Sequence, residues 1–329
     1  MVLQGFFSKG RGVKEDPAVS VFREYIRLKT VHPEPDYDGA LKFLGRISEE
    51  LGLPMKKIEV CPGRVVAIMT WTGTNPSLKS VLLNSHTDVV PVYQEQWKYD
   101  AFAAVKDAEG NIYGRGTQDM KCVTIQYIEA IRRLKAAGKR FPRTIHLTFV
   151  PDEEVGGHKG MESFINHPEF KKLNVGFALD EGLANPTEAF TVFYGERNPW
   201  CKCTLLFEEQ IKAWCAEAGE GITYEFAQKF MQQNTTSTED NNPWWKAFSS
   251  TCKALNMTLE KEIFPAATDS RFIRAVGLPA IGFSPMNRTP ILLHDHNEFL
   301  NEEVFLRGIT VYERLLPVLT AVPAQSGEE

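Results

Sequence analysis

Behind Asp16 and Pro17, apolar side chains recur at Val19, Phe22, Tyr25, Ile26 and Val31, close to helical spacing, and predict a first helix over residues 17–30. A second helix is predicted over residues 38–51, stopped by Gly52. The pattern then changes: residues 79–86 form a short apolar run that breaks into polar residues, as a buried parallel strand does where it meets a site-forming loop. Residues 144–150, 175–179 and 279–283 repeat that form. Between the first two of these strands, residues 120–137 carry Val123, Tyr127, Ile128, Ile131 and Leu134 as an apolar stripe, and Gly138 supplies the stop. A closing helix is expected over residues 302–322 despite Pro317. Strands alternating with helices predict an α/β fold, a mostly parallel central sheet flanked by helices, with ligands beyond the carboxyl ends of the strands. The polar clusters His86-Thr87-Asp88, Pro151-Asp152-Glu153-Glu154 and Asp180-Glu181-Gly182 all fall at such ends.

Residues 199–242 read differently. They offer one strand-like piece (200–205), one helix (207–218, closed by Gly219), one strand (222–226) and a polar stretch (232–242), too little to bury a core of their own. Trp244 and Trp245 then open an amphipathic helix and anchor it to the core. Composition is that of a globular protein: 43% hydrophobic and 24% charged residues with a net charge of -5, which excludes disorder and argues against a nucleic-acid surface. The six cysteines are scattered without the density of a secreted disulfide framework. No apolar run approaches the roughly 20 residues of a membrane span, and the short apolar start lacks the charge order of a signal peptide, so a cytoplasmic protein with no membrane partner is expected.

Metal hydrolase centres take nitrogen from His and oxygen from Asp or Glu, and a paired centre needs a carboxylate shared by two ions roughly 3.5 Å apart. His86 and Asp88, two apart on an extended segment, point to one face, so His86 can bind metal while Asp88 hydrogen-bonds behind it. Asp119 stands at a helix start after Gly114 and Gly116, which let the backbone turn sharply. Glu153 and Glu154, adjacent and taken as extended, diverge, so that one can bind metal while the other reaches the attacking water. Each motif alone is weak, and a Glu pair is usually a solvated charge. His146 sits in an apolar strand and reads as a satisfied core histidine. His32, His158 and His167 receive no role, and Cys201 and Cys203 lack the second pair that a structural zinc site needs.

The stretches SVLLNSHTDVVPV, YGRGTQDMKCV, RTIHLTFVPDEEVGGHKGM, FALDEG, PAATDSRFIRAVG and GFSPMNRTPILLHDHNE together resemble the M20 family of co-catalytic zinc amidohydrolases and peptidases, and within it the aminoacylases, which cleave N-acyl amino acids. The resemblance covers nearly all of residues 14–200 and 207–325. It implies two Zn²⁺ ions per chain: His86 and Glu181 on one, Glu154 and His294 on the other, Asp119 bridging. Glu153 is then the general base, Asp88 stands behind His86, and Thr268, Asp269 and Arg271 border the substrate pocket, with Arg271 placed to pair with a carboxylate. His296 packs or hydrogen-bonds nearby. The implied reaction is hydrolysis of an N-acyl-L-amino acid to a carboxylate and a free L-amino acid.

The chain departs from that family after FTVFYGERNPW. Family members insert a lid and dimerisation domain there, whereas this chain passes from Trp200 through Cys201 to Leu205 into what resembles the last helix and strand of a lid. The family's Gly-x-Pro-Gly-His segment, whose histidine reaches the partner subunit's site, is missing. The expected organisation is a catalytic domain in two parts (14–198 and 243–325), a lid remnant (199–242), and flexible ends (1–13 and 326–329), with the family's homodimer weakened or lost. Three readings stand: an aminoacylase impaired by the missing lid, a catalytically silent zinc-binding variant that acts by binding partners, and a dipeptidase or deacetylase of the same family.

Overall fold

The computed structural model describes residues 15–197, 202–225 and 232–328. Strands β1 (Met55–Cys61), β2 (Arg64–Trp71), β3 (Ser80–His86), β4 (Val105–Lys106), β5 (Asn111–Tyr113), β6 (Ile145–Val150), β7 (Val175–Asp180), β8 (Phe190–Glu196), β9 (Leu259–Phe264), β10 (Ala280–Gly282) and β11 (Phe299–Asn301) form two sheets. The large sheet runs β1-β2-β6-β3-β7-β10-β8-β9, and the small one β11-β5-β4. In the large sheet β6, β3, β7 and β10 are mutually parallel, and β2 and β8 flank them antiparallel. His86, the Pro151–Glu154 segment and Glu181 therefore leave the sheet at the same edge.

Nine α-helices occupy the described residues: α1 (Pro17–Ile26), α2 (Tyr37–Leu51), α3 (Lys121–Ala136), α4 (Ser163–Asn166), α5 (Pro168–Lys172), α6 (Lys202–Ala218), α7 (Pro243–Ala254), α8 (Ser270–Ala275) and α9 (Glu302–Thr320). Strand alternation explains the layering. From β2, Ala67, Met69 and Trp71 join Val81 and Leu83 of β3 in a core with α1, α2, α3, α7 and α9, while Val66, Ile68 and Leu82 point to a second core with Phe164, Phe170 and Phe272. The expected α/β sheet flanked by helices is the observed fold. The predicted first helix is shorter, ending at Ile26, and the predicted second begins at Tyr37 because the Asp36 carboxylate accepts the Gly39 N–H. Fully buried Lys121 ties α3 to the end of α1 by donating to the carbonyls of Tyr25 (3.2 Å) and Leu28 (2.7 Å). Trp244 and Trp245 are buried, Trp244 stacked on Phe177 at 5.4 Å. Residues 1–13, read as a loose end, lie outside the described residues. At the other end Glu328 is buried in a bidentate pair with fully buried Arg143, whose guanidinium also donates to the carbonyls of Lys79, Val322 and Pro323.

The segment after β8 corrects two expectations. Residues 202–205, read as part of a strand, begin α6, and residues 222–225 pair with no strand; Trp200, Cys201 and Phe226 lie outside the described residues. A strand there has no partner, and its N–H and C=O groups are satisfied internally only in a helix. α6 stands largely in solvent, with Phe207 54% and Trp214 50% exposed. Before and after it the chain is fastened to one place: Arg197 N–H donates to the Phe264 carbonyl (2.7 Å) and Thr236 N–H to the Tyr194 carbonyl (2.7 Å). Among the described residues no helix is long and apolar enough to cross a membrane.

His146 is the core histidine that its strand predicts, with Nδ1 2.9 Å from Thr70 Oγ1. Burial lowers its pKa to about 4 from an ordinary 6.5. The unfolded chain therefore binds a proton that the native state refuses, and stability falls as pH drops from 6.5 to 4, by about 3 kcal/mol for this residue. Urea unfolding of the wild type and of His146→Asn at pH 7 and pH 4.5 is expected to show the gap between them closing on acidification; a constant gap contradicts the linkage.

Candidate active site

Four loops at the carboxyl edge of the sheet bring the ligand-type residues together. His86 ends β3, Glu181 follows β7, Glu154 lies in a single 3-10 turn after β6, and Asp119 precedes α3. The turn corrects the expectation that Glu153 and Glu154 diverge along an extended segment. His294 arrives from the loop before β11 with a left-handed backbone (φ 61) that its surroundings must hold. Two metal-sized groups result among the described residues, His86-Asp119-Glu181 and Asp119-Glu154-His294, with the ligand atoms of each within 4.8 Å of one another. Asp119 is common to both. Its Oδ1 is 2.9 Å from His86 Nε2, and its Oδ2 is 3.0 Å from His294 Nε2. Glu181 Oε2 lies 3.5 Å from His86 Nε2, and Glu154 Oε2 2.8 Å from His294 Nε2.

The loop bearing Asp119 and the loop bearing His294 hold each other. The fully buried Glu298 carboxylate accepts the N–H groups of Gly116 (3.0 Å), Gln118 (2.6 Å) and Asp119 (3.3 Å) and pairs with Arg115 at 2.9 Å. In return the Gln118 side chain donates to the carbonyls of Pro290 and Phe299 and accepts from Leu292 N–H. Gly116 makes the turn possible with φ 89, and a Cβ on Gly114 would stand 2.5 Å from the Ile26 side chain. β5 pairs with β11 just outside this clamp.

Electrostatics set the site apart. Burial, the Glu181 charge and the Glu154 charge push the Glu153 carboxyl well above its usual range, and burial with the Asp119 charge does the same to Glu181. Glu154 is raised to about 7 by burial and the Asp119 charge. Asp119 goes the other way: burial opposes its charge, yet the hydrogen bonds from His294 and His86 hold it below the carboxylate range. Hydrogen bonds to Asp119 and Glu154 raise His294 to about 10. The two imidazoles thus stand between the carboxylates that crowd the site. The donor set suits a divalent ion in two respects: nitrogen and carboxylate oxygen are ligands of zinc-like metals, and buried Glu154 Oε1 has no hydrogen-bond partner.

The remaining expected residues fall around this centre. Asp88 is beside His86, but its carbonyl oxygen, not its carboxylate, meets His86 Nδ1, at 3.0 Å against 3.7 Å. Thr268 Oγ1 donates to Glu196 (2.5 Å), Asp269 is buried beside Asn84 with its pKa raised to about 8 by burial and Asp180, and Arg271 Nη2 donates to the Gly156 carbonyl (2.7 Å) at the end of the acidic turn. His296 meets Tyr93 edge-on at 6.2 Å. Sequence reasoning missed the Glu298–Gln118 clamp and the contact of His32 with Asp88 (2.9 Å). Both join residues far apart in the chain, and no local pattern marks them.

The clamp makes a prediction. Glu298→Gln turns an amide toward N–H groups that need an acceptor and takes from Arg115 its carboxylate, so divalent-metal affinity is expected to drop about 10- to 100-fold. Equilibrium dialysis against zinc buffers measures this, and unchanged affinity of the folded variant removes the clamp from the metal site.

A family model described as peptidase family M20/M25/M40 matches residues 82–317. Aminoacylase-1 of Mus musculus is 52% identical over 399 aligned positions, covering 95% of this chain and 98% of that protein. Those 399 positions exceed the 329 residues of the chain, so at least 70 of them face gaps here. Among solved structures, an M20 metallo-carboxypeptidase from Sulfolobus solfataricus superposes with a TM-score of 0.72 at 14% identity, covering 93% of this chain and all of that one. A Bacillus subtilis M20 peptidase described as dinuclear and metal-binding gives a TM-score of 0.61 at 13% identity, covering 93% and 99%. The two structures establish the fold, and the identity to aminoacylase-1 across nearly the whole of both chains makes this protein a metallohydrolase of peptidase family M20/M25/M40, in its aminoacylase-1 group.

Proposed function

We propose that this chain hydrolyses N-acyl-L-amino acids with two zinc ions held at the shared-carboxylate centre. The observation that carries the reading is Asp119, whose two oxygens face two separate histidine–carboxylate sets. In this assignment His86 and Glu181 would hold one ion and Glu154 and His294 the other, with Asp119 common to both. A bound zinc pair supplies Lewis acidity, bringing the pKa of water down toward ~7 and polarising the scissile carbonyl. The chain's own residues do the rest. Glu153, buried beside the centre, takes a proton from the attacking water and delivers it to the leaving nitrogen as the acyl C–N bond breaks. Arg271 offers its guanidinium to the substrate carboxylate. Thr268 and Asp269 shape the wall behind it, and the Asp88 carbonyl orients His86.

One observation favours a second reading. The relatives' extra aligned positions and the missing Gly-x-Pro-Gly-His segment leave the chain without the lid histidine that its family resemblance implies, and one lost oxyanion donor costs about 10² to 10³ in rate. In that reading residues 199–242 are a lid remnant, the family's dimer is weakened, and the chain binds zinc without efficient turnover.

Zinc content and hydrolysis of N-acetylmethionine, measured on one purified sample, test both. Two zinc ions per chain, slow turnover abolished by chelation, and a further loss of about 10² to 10⁴ in Glu153→Gln at unchanged zinc content are expected. Turnover that survives stripping of the metal overturns the first reading, and zinc binding without turnover selects the second.

A further inference from the structure

The Asp88 carboxylate is fully buried, and with the carbonyl serving His86 it is left for other partners. Its Oδ1 accepts the Glu153 N–H at 3.2 Å and its Oδ2 the Glu154 N–H at 3.1 Å. The same Oδ2 lies 2.9 Å from His32 Nε2. His32 comes from the connection between α1 and α2, docked on the Asp88 loop by two backbone bonds, His32 N–H to the Val89 carbonyl (3.1 Å) and Val89 N–H to the Thr30 carbonyl (2.9 Å). Its side chain is only 9% exposed, so water screens the pair weakly. The hydrogen bond to Asp88 raises the imidazole pKa, outweighing the burial that lowers it.

The acidic turn therefore hangs between two holds. At its start, Asp152 has a left-handed backbone (φ 63), and its carboxylate is gripped by Tyr37 Oη (2.6 Å) and Arg64 Nε (2.5 Å). At Glu153 and Glu154 the grip is Asp88. The first hold fixes where the turn begins, and the second fixes which way its two glutamates face. Asp88 can do this only if its carboxylate keeps one orientation beside the Asp119, Glu153, Glu154 and Glu181 side chains, and His32 is the imidazole that touches it.

We propose that His32 is a positioning residue for the hydrolytic step: its imidazole, in contact with Asp88 Oδ2, orients the Asp88 carboxylate, which holds the Glu153 and Glu154 amides and so aims the Glu153 carboxyl. This rests on the reading of Glu153 as the proton carrier. The role belongs to a long-range relay, from the connection between two N-terminal helices through the loop after β3 to the turn after β6.

The test uses the full zinc-loaded chain and its variants His32→Ala and His32→Gln. Amide hydrogen exchange is followed by NMR at Glu153 and Glu154 and, as references, at Leu83 and Leu147 in the core strands; kcat and KM for N-acetylmethionine and zinc content are measured alongside. In His32→Ala, exchange at the two glutamates is expected to quicken about tenfold with the core amides unchanged, and kcat to fall about tenfold at constant KM and zinc content. Added imidazole is expected to restore both. Unchanged exchange at Glu153 and Glu154, or an equal rise at the core amides, overturns the proposal. Should His32→Ala not fold, His32→Gln, which keeps the reach without the imidazole, is read by the same criteria. Full activity in Glu153→Gln would overturn the proton-carrier reading while leaving the exchange result intact. If the wild-type chain does not turn over, the exchange measurement decides the positional claim by itself.

Discussion

Mutual repulsion among buried carboxylates is the constraint from which the rest of the site follows. Asp88, Asp119, Glu153, Glu154 and Glu181 converge at one edge of the sheet with His86 and His294 as the imidazoles among them. A cluster like this is costly in a low-dielectric interior unless cations neutralise it. Parallel strands deliver these groups to one place at no extra cost, since every strand end that carries one points the same way. Holding them there takes dedicated contacts: Glu298 and Gln118 between two loops, and Asp88 and Asp152 beneath the acidic turn. Both arrangements work by placing backbone N–H groups against a buried carboxylate, so the scaffold is itself built with charge, and behind it sit the guanidinium groups of Arg115 and Arg64 and the imidazole of His32.

Much of this was legible in the sequence, for reasons that differ by residue. The four central strands announce themselves because they are buried on both faces and end in polar residues at the site. The candidate ligands are each weak signals alone and gain meaning only from the family that their stretches together resemble, and the structure brings His86, Asp119, Glu154, Glu181 and His294 together. Local reasoning failed where the answer lay in a partner from elsewhere. The Glu153–Glu154 pair was read as extended from its own few residues, whereas Tyr37, Arg64 and Asp88 bend it into a turn. Residues 202–205 look strand-like in isolation and turn helical because no sheet edge receives them. His32 carries no local signal; only the docking of its loop on Val89 gives it a neighbour.

The chain's route around α6 has a consequence for how such a protein changes over evolutionary time. Departure at Arg197 and return at Thr236 are both stitched to the same corner of the sheet, beside Tyr194 and Phe264. Whatever lies between is a closed excursion, and the entropy of closing it rises by only about 0.6 kcal/mol for each doubling of its length. The corner behaves as a socket: segments of very different size can be plugged in or withdrawn while the body keeps its register. Metal chemistry and whatever the excursion governs are thereby separable characters, free to be gained, lost or exchanged on independent schedules.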